Sequence, residues 1–478
     1  MAFLIGGANT LDDSYSISNS LRFNDGDSGY IYRTPSSASN QRTWTWSGWF
    51  KRSDITTAQN LWTAGADVNN RCHLDINASG TFQVEAKNGG SSVMKCEGGG
   101  VLRDPSAWMH LVWRMDTTQG TDSDRIRIYL NGTQFTFSSN SYPSQNTEMA
   151  INNNVLHAFG KRTWADQNYF DGYLAEVHFV DGQSYAPTVF GETNDNGVWI
   201  PKDCKDDITY GTNGYFLEFK ETGTSANSSG MGADTSGNNH HFSISGLAAR
   251  SVVQDTPTNN FMTFNPLYTN SRGTFAEGNL QVTTNVQGSV PYGQVEFGNF
   301  HVNSGKWYWE VEVVEVGSGG SLGLGANERA YEGTYVNGHN NGGSAGNIRY
   351  NHSNGNVNNG SSTAVSGAAT YTDDDTIGFA MDLDNNKMYI HKNGTYINSG
   401  DPAAGSNGIT MTSSYSDYWT PWISKDDTSN NAKVYLNTGN PVLANDSGNA
   451  DDNGYGDFEY DVPAGFYSLC TKNLATYG

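Results

Sequence analysis

The sequence predicts an all-β protein built from two antiparallel β-sandwiches, and three observations lead to that fold class. The 478-residue chain has 56 Gly and 12% aromatic residues but only 16% charged residues, a composition typical of strands joined by tight turns. Apolar and polar residues alternate in one short segment after another, as in half-buried strands. No segment shows the 3.6-residue apolar period of an amphipathic helix. The length allows two large β domains or about three domains of about 150 residues each.

Alternation is clearest in three segments of the first half, each bounded by turn residues. Side chains that share a parity lie on one face of a strand, so we expect them to face a core between two sheets. The expected inner faces are Trp44, Trp46 and Phe50; Met109, Leu111, Trp113 and Met115; and Tyr173, Ala175, Val177 and Phe179.

The second half repeats this pattern around a long polar insertion that runs from Asn327 to about Thr370. Each half also contains an aromatic-aliphatic strand that runs into an Asn-Gly-Thr turn, at Asn131 and at Asn393. Two unrelated hairpins could share this turn rule, or both halves could be the same class of sandwich. The expected inner faces of the second half are Trp307, Trp309, Val311 and Val313, and Ile377, Phe379, Met381 and Leu383.

Charge and hydropathy exclude several classes of partner. The net charge is −22, which argues against binding to nucleic acid or to an anionic membrane surface. No apolar stretch approaches 18 residues, so no membrane insertion is expected. The start, MAFLIGGANT, lacks the basic region of a secretory signal. The four cysteines are expected to be buried or free thiols, with Cys72 and Cys96 as the best candidates for a disulfide.

Motifs in both halves resemble known domains. WTWSGWFKR, AWMHLVWRMD, RIRIYLNGTQ and YFDGYLAEVHFVDGQ resemble the laminin-G-like, or concanavalin-like lectin, domain. GKWYWEVEV, SLGLG, DDTIGFAMDLDNNKMYIHKNG and YWTPWIS resemble the SPRY domain, another concanavalin-like sandwich. The resemblance implies two jelly-roll-type sandwiches at 15–190 and 261–478. A loop-rich connector at 191–260 would join them, and an N-terminal docking segment at 1–14 would precede them.

The pairing of the two domains, with the MAFLIGGAN start and the GFYSLCTKNL finish, resembles large virion proteins of marine tailed phages. The resemblance implies a non-enzymatic tail fibre or fibre-like appendage, made in the host cytoplasm and carried on the tail or capsid surface. Such an appendage would bind a host-surface glycan or protein, and residues 1–14 would dock to other virion proteins. Strand edges and aromatic faces favour a homo-oligomer, for example a trimer. The alternatives are a purely structural capsid-decoration or tail protein and, more remotely, a glycan depolymerase.

Two loop regions carry the residue types that bind glycans, namely aromatic rings for stacking on sugar faces and polar side chains for the hydroxyls. The alternative is that these residues pack at interfaces between copies or between domains. Most of the other Trp residues lie at strand positions whose side chains are expected to face the core, so they are expected to be structural. The candidate ligand-binding residues are Trp164, Asp166, Asn168 and Tyr169 in one loop, and Tyr331, Tyr335, His339, Asn340 and Tyr350 in the polar insertion.

Acidic side chains suggest two further hypotheses. Asp25 with Asp27, or Asp166 with Asp171, could gather Ca²⁺, although adjacent carboxylates are often simply solvated. No cofactor is required, and no His/Cys set suggests Zn²⁺. The segment from Glu310 to Glu315 nearly matches the E-x-D-x-x-E strand of laminarinase-type glucanases, but Glu312 replaces the central Asp. We therefore predict no catalytic residue.

Overall fold

Antiparallel β-strands form nearly all of the regular secondary structure that the computed structural model describes. The model describes residues 15–98, 100–268, 273–284, 294–317, 322–328, 346–413, 418–425, 431–443 and 447–478. The described residues up to Asn259 form one compact unit, and Asn260–Gly478 form a second. The predicted all-β class is confirmed. The predicted docking segment, residues 1–14, lies outside the described residues.

Two sheets of eight strands each form the first unit. Sheet 1 has the order β10-β9-β8-β3-β13-β1-β18, with β16 paired to β13. Sheet 2 has the order β11-β7-β6-β5-β4-β12-β2-β17. The strands are β1 Ser20–Phe23, β2 Tyr30–Arg33, β3 Thr43–Arg52, β4 Gln59–Asp67, β5 Asn70–Ile76, β6 Phe82–Asn88, β7 Ser91–Gly98, β8 Met109–Asp116, β9 Ile126–Leu130, β10 Thr133–Gln134, β11 Phe137–Ser141, β12 His157–Phe159, β13 Gly172–Asp181, β14 Gly191–Thr193, β15 Trp199–Pro201, β16 Tyr215–Leu217, β17 Ser243–Ser245 and β18 Val252–Val253.

The second unit is also built around two main sheets. Sheet 3 has the order β19-β20-β32-β22-β27-β28-β29, with β30 paired to β28 and β33 to β22. Sheet 4 has the order β21-β31-β23-β24-β25-β26. The elements are β19 Thr274–Ala276, β20 Gln281–Thr283, β21 Gln294–Phe297, β22 Lys306–Glu315, β23 Leu322–Asn327, β24 Asn347–Asn351, β25 Val357–Asn359, β26 Ser362–Val365, β27 Asp375–Asp382, β28 Lys387–Lys392, β29 Thr395–Tyr396, β30 Ile409–Thr410, β31 Thr420–Lys425, β32 Lys433–Asn437, β33 Tyr467–Ser468 and the short helix α1 Thr471–Tyr477.

The predicted inner faces of β3 and β8 form an aromatic core between sheets 1 and 2. The ring centroids of Trp44 and Trp113 lie 4.9 Å apart, edge to face, and Trp46 stacks on Trp62 of sheet 2 at 5.9 Å. Offset and edge-to-face contacts of this kind add to the stabilisation from burying the rings. In the second unit the predicted faces of β22 and β27 also enter the core. These parity predictions are confirmed.

The predicted inner face of β13 is wrong because the strand contains a β-bulge. Its pairing with β3 shifts between Ala175 and His178, and Glu176 has a φ of 44°. One extra residue reverses which face the following side chains occupy. Val177 and Phe179 therefore enter the main core, whereas Tyr173 and Ala175 pack on the opposite face of sheet 1.

The bulge buries a carboxyl group. Glu176 is only 6% exposed, and its side chain accepts a hydrogen bond from the Tyr15 hydroxyl. Burial raises the pKa of Glu176 from 4.5 to about 8, and the nearby Glu218 and Asp203 carboxylates act in the same direction. The Tyr15 hydrogen bond and Lys220 lower this pKa and so oppose the shift.

Glu176→Gln is expected to flatten the pH dependence of stability. The folded chain keeps a proton that the unfolded chain releases, so this stabilisation is complete below about pH 4.5 and is lost as the pH rises to about 8. Between pH 5 and pH 8.5, wild type should lose on the order of a few kcal/mol more unfolding free energy than the variant. Urea unfolding at several pH values measures this difference. Parallel stability profiles for the two proteins would contradict the assignment.

Residues 191–260, predicted as a connector, instead complete the first unit. Three of their strands extend its sheets: β16 pairs with β13, β17 with β2 and β18 with β1. The prediction failed because strands of two or three residues, separated by Gly, Ser and Asn, leave no alternation to detect.

A buried ion pair fixes the end of this segment to sheet 1. The Lys51 ammonium group on β3 donates to the Asp255 carboxylate, and the two side chains are 1% and 0% exposed. Asp255 also accepts a hydrogen bond from Trp108 Nε1 at 2.8 Å. Lys51 Nζ lies 4.5 Å from the centre of the Tyr173 ring. The outward face of sheet 1 is therefore covered by chain that the sequence had suggested was a linker.

The remaining sequence predictions concern turns, thiols and membrane spans. Asn131–Gly132 and Asn393–Gly394 have positive φ values in both residues, as tight hairpin turns require. All four cysteines are buried free thiols, and no Cys72–Cys96 disulfide forms. Among the described residues, no helix has the length and apolarity needed to cross a membrane.

Candidate functional site

The loop between β12 and β13, residues 160–169, lies on the outer face of sheet 2 and carries four of the predicted ligand-binding residues. Its base is closed by the Phe170 N–H, which donates to the Gly160 carbonyl oxygen at 2.9 Å. Gly160 has a φ of 93°, and a Cβ there would meet the Gly29 carbonyl oxygen at 2.9 Å. The Asn60 N–H on β4 donates to the Asn168 carbonyl oxygen at 2.9 Å. We call this segment the capping loop.

Strand β5 supplies the polar surface beneath the capping loop. Alternation sends its apolar side chains into the core and leaves Arg71, His73 and Asp75 on the outer face. These three side chains are between 0% and 9% exposed. The polar row is therefore held in place by the sheet and shielded by the loop above it.

Trp164 is a partly exposed ring at the centre of the capping loop. Its ring centroid lies 5.0 Å from that of His73 and 4.4 Å from Arg71 Cζ, while Arg162 Cζ lies 5.6 Å away. Contacts between guanidinium groups and an indole face are attractive because of the ring quadrupole. The indole thus contacts two cationic side chains above the polar face of β5.

A carboxylate anchors each of the two arginines. Arg71 Nη2 donates to Glu85 Oε2 at 2.8 Å, and Arg162 donates through Nε and Nη2 to Asp75 Oδ2. Asp75 is 0% exposed and also accepts from Asn60 Nδ2 at 2.5 Å. Charge-assisted hydrogen bonds of this kind fix side-chain geometry. The two arginines therefore define the position of the Trp164 ring.

The exposed end of the loop holds a second group of aromatic and charged side chains. Asp166 accepts hydrogen bonds from Lys161 Nζ at 3.1 Å and from the Tyr169 hydroxyl. These hydrogen bonds lower the pKa of Asp166 and keep it ionised. Lys161 Nζ also lies 4.1 Å from the centre of the Tyr30 ring on β2.

Several polar atoms beneath the capping loop have no hydrogen-bond partner among the described residues. Arg71 Nε and His73 Nδ1 are two such buried atoms, and both side chains contact Trp164. Burial lowers the pKa of His73 to about 4, so the ring is neutral at pH 7. Its Nε2 lies 3.5 Å from Asp75 Oδ2. If Nε2 carries the proton, Nδ1 is an acceptor, whereas Arg71 Nε is a donor. A hydroxyl group can complement either atom, because it both donates and accepts.

The predicted ligand-binding residues lie in different parts of the structure. Trp164, Asp166, Asn168 and Tyr169 come together on the capping loop. Tyr350 does not belong to any binding surface: it is 0% exposed in the core of the second unit, where its hydroxyl donates to the Ala369 carbonyl oxygen. That prediction failed because Tyr350 lies in a buried strand within a polar insertion. The other four candidates, Tyr331, Tyr335, His339 and Asn340, lie outside the described residues.

The carboxylates of the two predicted metal pairs interact with other side chains. Asp27 lies 4.0 Å from Arg250 Nη2, Asp166 is engaged by Lys161, and Asp25 hydrogen-bonds with Asp171 instead. Burial and the nearby Asp54 carboxylate raise the pKa of Asp25. Across the described ranges, no group of three or more His, Cys, Asp or Glu side chains is arranged to hold a metal ion.

The second unit has a cavity of about 390 Å³ beside Glu310 and Glu312 on β22. Glu310 is a structural anchor there. Its Oε1 accepts from Tyr308 and from the Tyr460 N–H at 2.9 Å, and its Oε2 accepts from the Glu459 N–H at 3.0 Å and from Asn437 at 3.3 Å. Burial raises the pKa of Glu310 to about 7. Both oxygens of the Glu310 carboxyl group hold the 459–460 segment.

Sequence reasoning missed the residues beneath the capping loop. Arg71, His73 and Asp75 alternate with Cys72, Leu74 and Ile76, so three polar side chains share the parity opposite to the core. That alternation was a usable signal. Arg162 could not be assigned in this way, because its contact with Asp75 joins residues 87 positions apart.

Two family models match separate parts of the chain. Residues 25–189 match Laminin_G_3, described as the concanavalin A-like lectin/glucanases superfamily. Residues 306–403 match the SPRY domain. No curated protein matches the chain.

Several solved structures are similar to about a third of the chain. The SPRY domain of human HERC1 is 15% identical with a TM-score of 0.24, over 33% of this chain and 87% of that one. The native heptameric SAP-like pentraxin from Limulus polyphemus is 12% identical with a TM-score of 0.27, over 36% and 80%. The CBM40 of the Ruminococcus gnavus IT-sialidase is 12% identical with a TM-score of 0.25, over 33% and 92%. The family matches therefore support a concanavalin A-like lectin domain of the Laminin_G_3 type at residues 25–189 and a SPRY domain at residues 306–403.

Proposed function

We propose that this chain is a non-enzymatic glycan-binding protein and that the capping loop on sheet 2 is its saccharide site. The observation that carries the proposal is the Trp164 ring, which is partly exposed and contacts Arg71 and Arg162 over a polar strand face. A sugar ring presents an apolar face suited to an aromatic ring, and its hydroxyls need hydrogen-bond donors and acceptors. The match of this unit to a lectin superfamily supports the same function.

The surrounding side chains suit hydroxyl recognition. Arg71 Nε and His73 Nδ1 lack partners among the described residues, and an unsatisfied buried polar atom costs about 1–3 kcal/mol. Asp166 and Tyr169 add an acceptor and a hydroxyl at the exposed end of the loop. Binding sites are typically built this way, with a preformed surface and a few precisely held polar groups.

The finer proposal is that the chain is a phage virion appendage, such as a tail fibre, that attaches to the host surface. The resemblance of the domain pairing and of both termini to marine phage virion proteins supports this role. The chain would be made in the host cytoplasm, join other virion proteins through residues 1–14 and form a homo-oligomer. Many weak sites on one particle would then gain avidity without new contacts.

A glycan array probed with the full chain tests the proposal. We expect binding to a defined set of saccharides with no cleavage of the bound chains. Adsorption of the full chain to host cells should be inhibited by the same saccharides in solution. Absence of binding to every saccharide and to host cells would reject glycan recognition and favour the purely structural capsid or tail protein.

A further inference from the structure

The basic side chains at the capping loop indicate which class of saccharide it takes. The chain as a whole has 27 Lys and Arg against 49 Asp and Glu. The capping loop nevertheless carries adjacent cations, Lys161 and Arg162, and β5 places Arg71 against the same tryptophan. We infer that the ligand of the proposed glycan site is an acidic saccharide, with a carboxylate beside the sugar ring that stacks on Trp164. This inference rests on the proposed function.

The arrangement of the Arg162–Asp75 pair supports this inference. Asp75 is 0% exposed whereas the Arg162 side chain is 22% exposed, so the carboxylate lies beneath and the guanidinium group faces solvent. Arg162 uses Nε and Nη2 on Asp75, and Nη1 has no hydrogen-bond partner among the described residues. A guanidinium group can bind two acceptors at once, so one edge can hold Asp75 while Nη1 binds a ligand oxygen.

Arg71 provides a second donor on the same indole. Two of its nitrogens donate to the Val68 carbonyl oxygen and to Glu85, which leaves Nε buried without a partner. The residue is 9% exposed, so a ligand oxygen that reached Nε would form a shielded, charge-assisted hydrogen bond. A hydroxyl oxygen would also accept a charge-assisted bond from Nε, so Arg71 suits either group and the carboxylate contact is assigned to Arg162.

Each acidic side chain near the ring is paired with a cation, so the site carries no excess of negative charge. Glu85 and Asp75 hold the two arginines, and Asp166 is compensated by Lys161 and Tyr169. Because the remainder of the chain is strongly negative, long-range attraction does not draw an acidic ligand to the protein. Recognition would depend on these short-range contacts around Trp164.

The test compares matched saccharides on the full chain. The array would hold galacturonate, glucuronate and sialylated oligosaccharides together with their carboxyl-reduced counterparts, which differ only in the charged group. Reduction of the carboxyl group should lower the affinity of each acidic ligand that binds by at least about 10-fold. Arg162→Gln should weaken acidic binding about 10-fold and weaken the binding of reduced ligands by a clearly smaller factor, because Arg162 also contacts Trp164. Arg42→Gln is the control, because Arg42 forms an exposed pair with Glu148 elsewhere in the same unit.

The outcomes separate this inference from the proposed function. Trp164-dependent binding that is equal or stronger for the reduced saccharides overturns the acidic preference but leaves the glycan site intact. Acidic binding that is unaffected by Arg162→Gln overturns the assigned contact. Absence of binding to any saccharide rejects the glycan site itself.

Discussion

Asp255→Asn is expected to destabilise the first unit by about 3 kcal/mol or more, because it leaves the Lys51 ammonium group buried without its carboxylate. Removing one partner of a buried ion pair typically costs about 3–5 kcal/mol. Asn has nearly the same size as Asp and can still accept the hydrogen bond from Trp108. The lost free energy of unfolding therefore reports on the removal of the negative charge. Urea unfolding followed by tryptophan fluorescence measures it, since seven fully buried large side chains of this unit are Trp or Tyr.

Glu148→Gln is the matched control for the ion-pair variant. It removes a carboxylate from a pair with Arg42 in which the two side chains are 43% and 54% exposed, and such pairs contribute about 0–1 kcal/mol. Equal, small effects of the two substitutions would show that residues 249–259 are not held against sheet 1 in solution.

Trp164→Ala is expected to reduce saccharide affinity at least about 10-fold. Aromatic anchors at the centre of binding sites often contribute 2 kcal/mol or more, and each 1.4 kcal/mol corresponds to a tenfold change in Kd. The unfolding midpoint should change little, because Trp164 lies on a surface loop and is partly exposed. Isothermal titration calorimetry with the saccharide that the array identifies measures the change.

Two further variants give the tryptophan prediction its controls. Trp164→Tyr keeps an aromatic ring and should retain part of the affinity. Tyr350→Phe changes the candidate that the structure places in the core of the second unit, and it should leave affinity unchanged. Full affinity in Trp164→Ala, or loss of binding in Tyr350→Phe alone, would remove the capping loop as the site.

The fold could be predicted wherever long strands expose a clean alternation. The buried tryptophans Trp44, Trp113, Trp307 and Trp309 all lie on the expected inner faces, because period-2 patterning is imposed by the sheets themselves. Prediction failed where local geometry breaks that period. The bulge at Glu176 reverses the parity of β13, and no residue type in the segment marks its position.

The candidate site was predicted only in part. The composition of the capping loop identified Trp164, Asp166, Asn168 and Tyr169, since aromatic and amide residues in a turn are visible in sequence. The surface beneath the loop depends on pairing between β4, β5 and β6, which sequence spacing does not encode. Tyr350 shows the opposite error, because a strand of sheet 4 was hidden inside an insertion rich in Asn and Gly.

Hydrogen–deuterium exchange on the full chain, with and without a saturating saccharide from the array, tests the central claim most directly. Backbone amides slow their exchange where a ligand covers or rigidifies them. If the capping loop is the site, exchange should slow in residues 160–169 and in β5, with little change in the second unit. Slower exchange confined to the second unit, with residues 160–169 unchanged, would contradict the account.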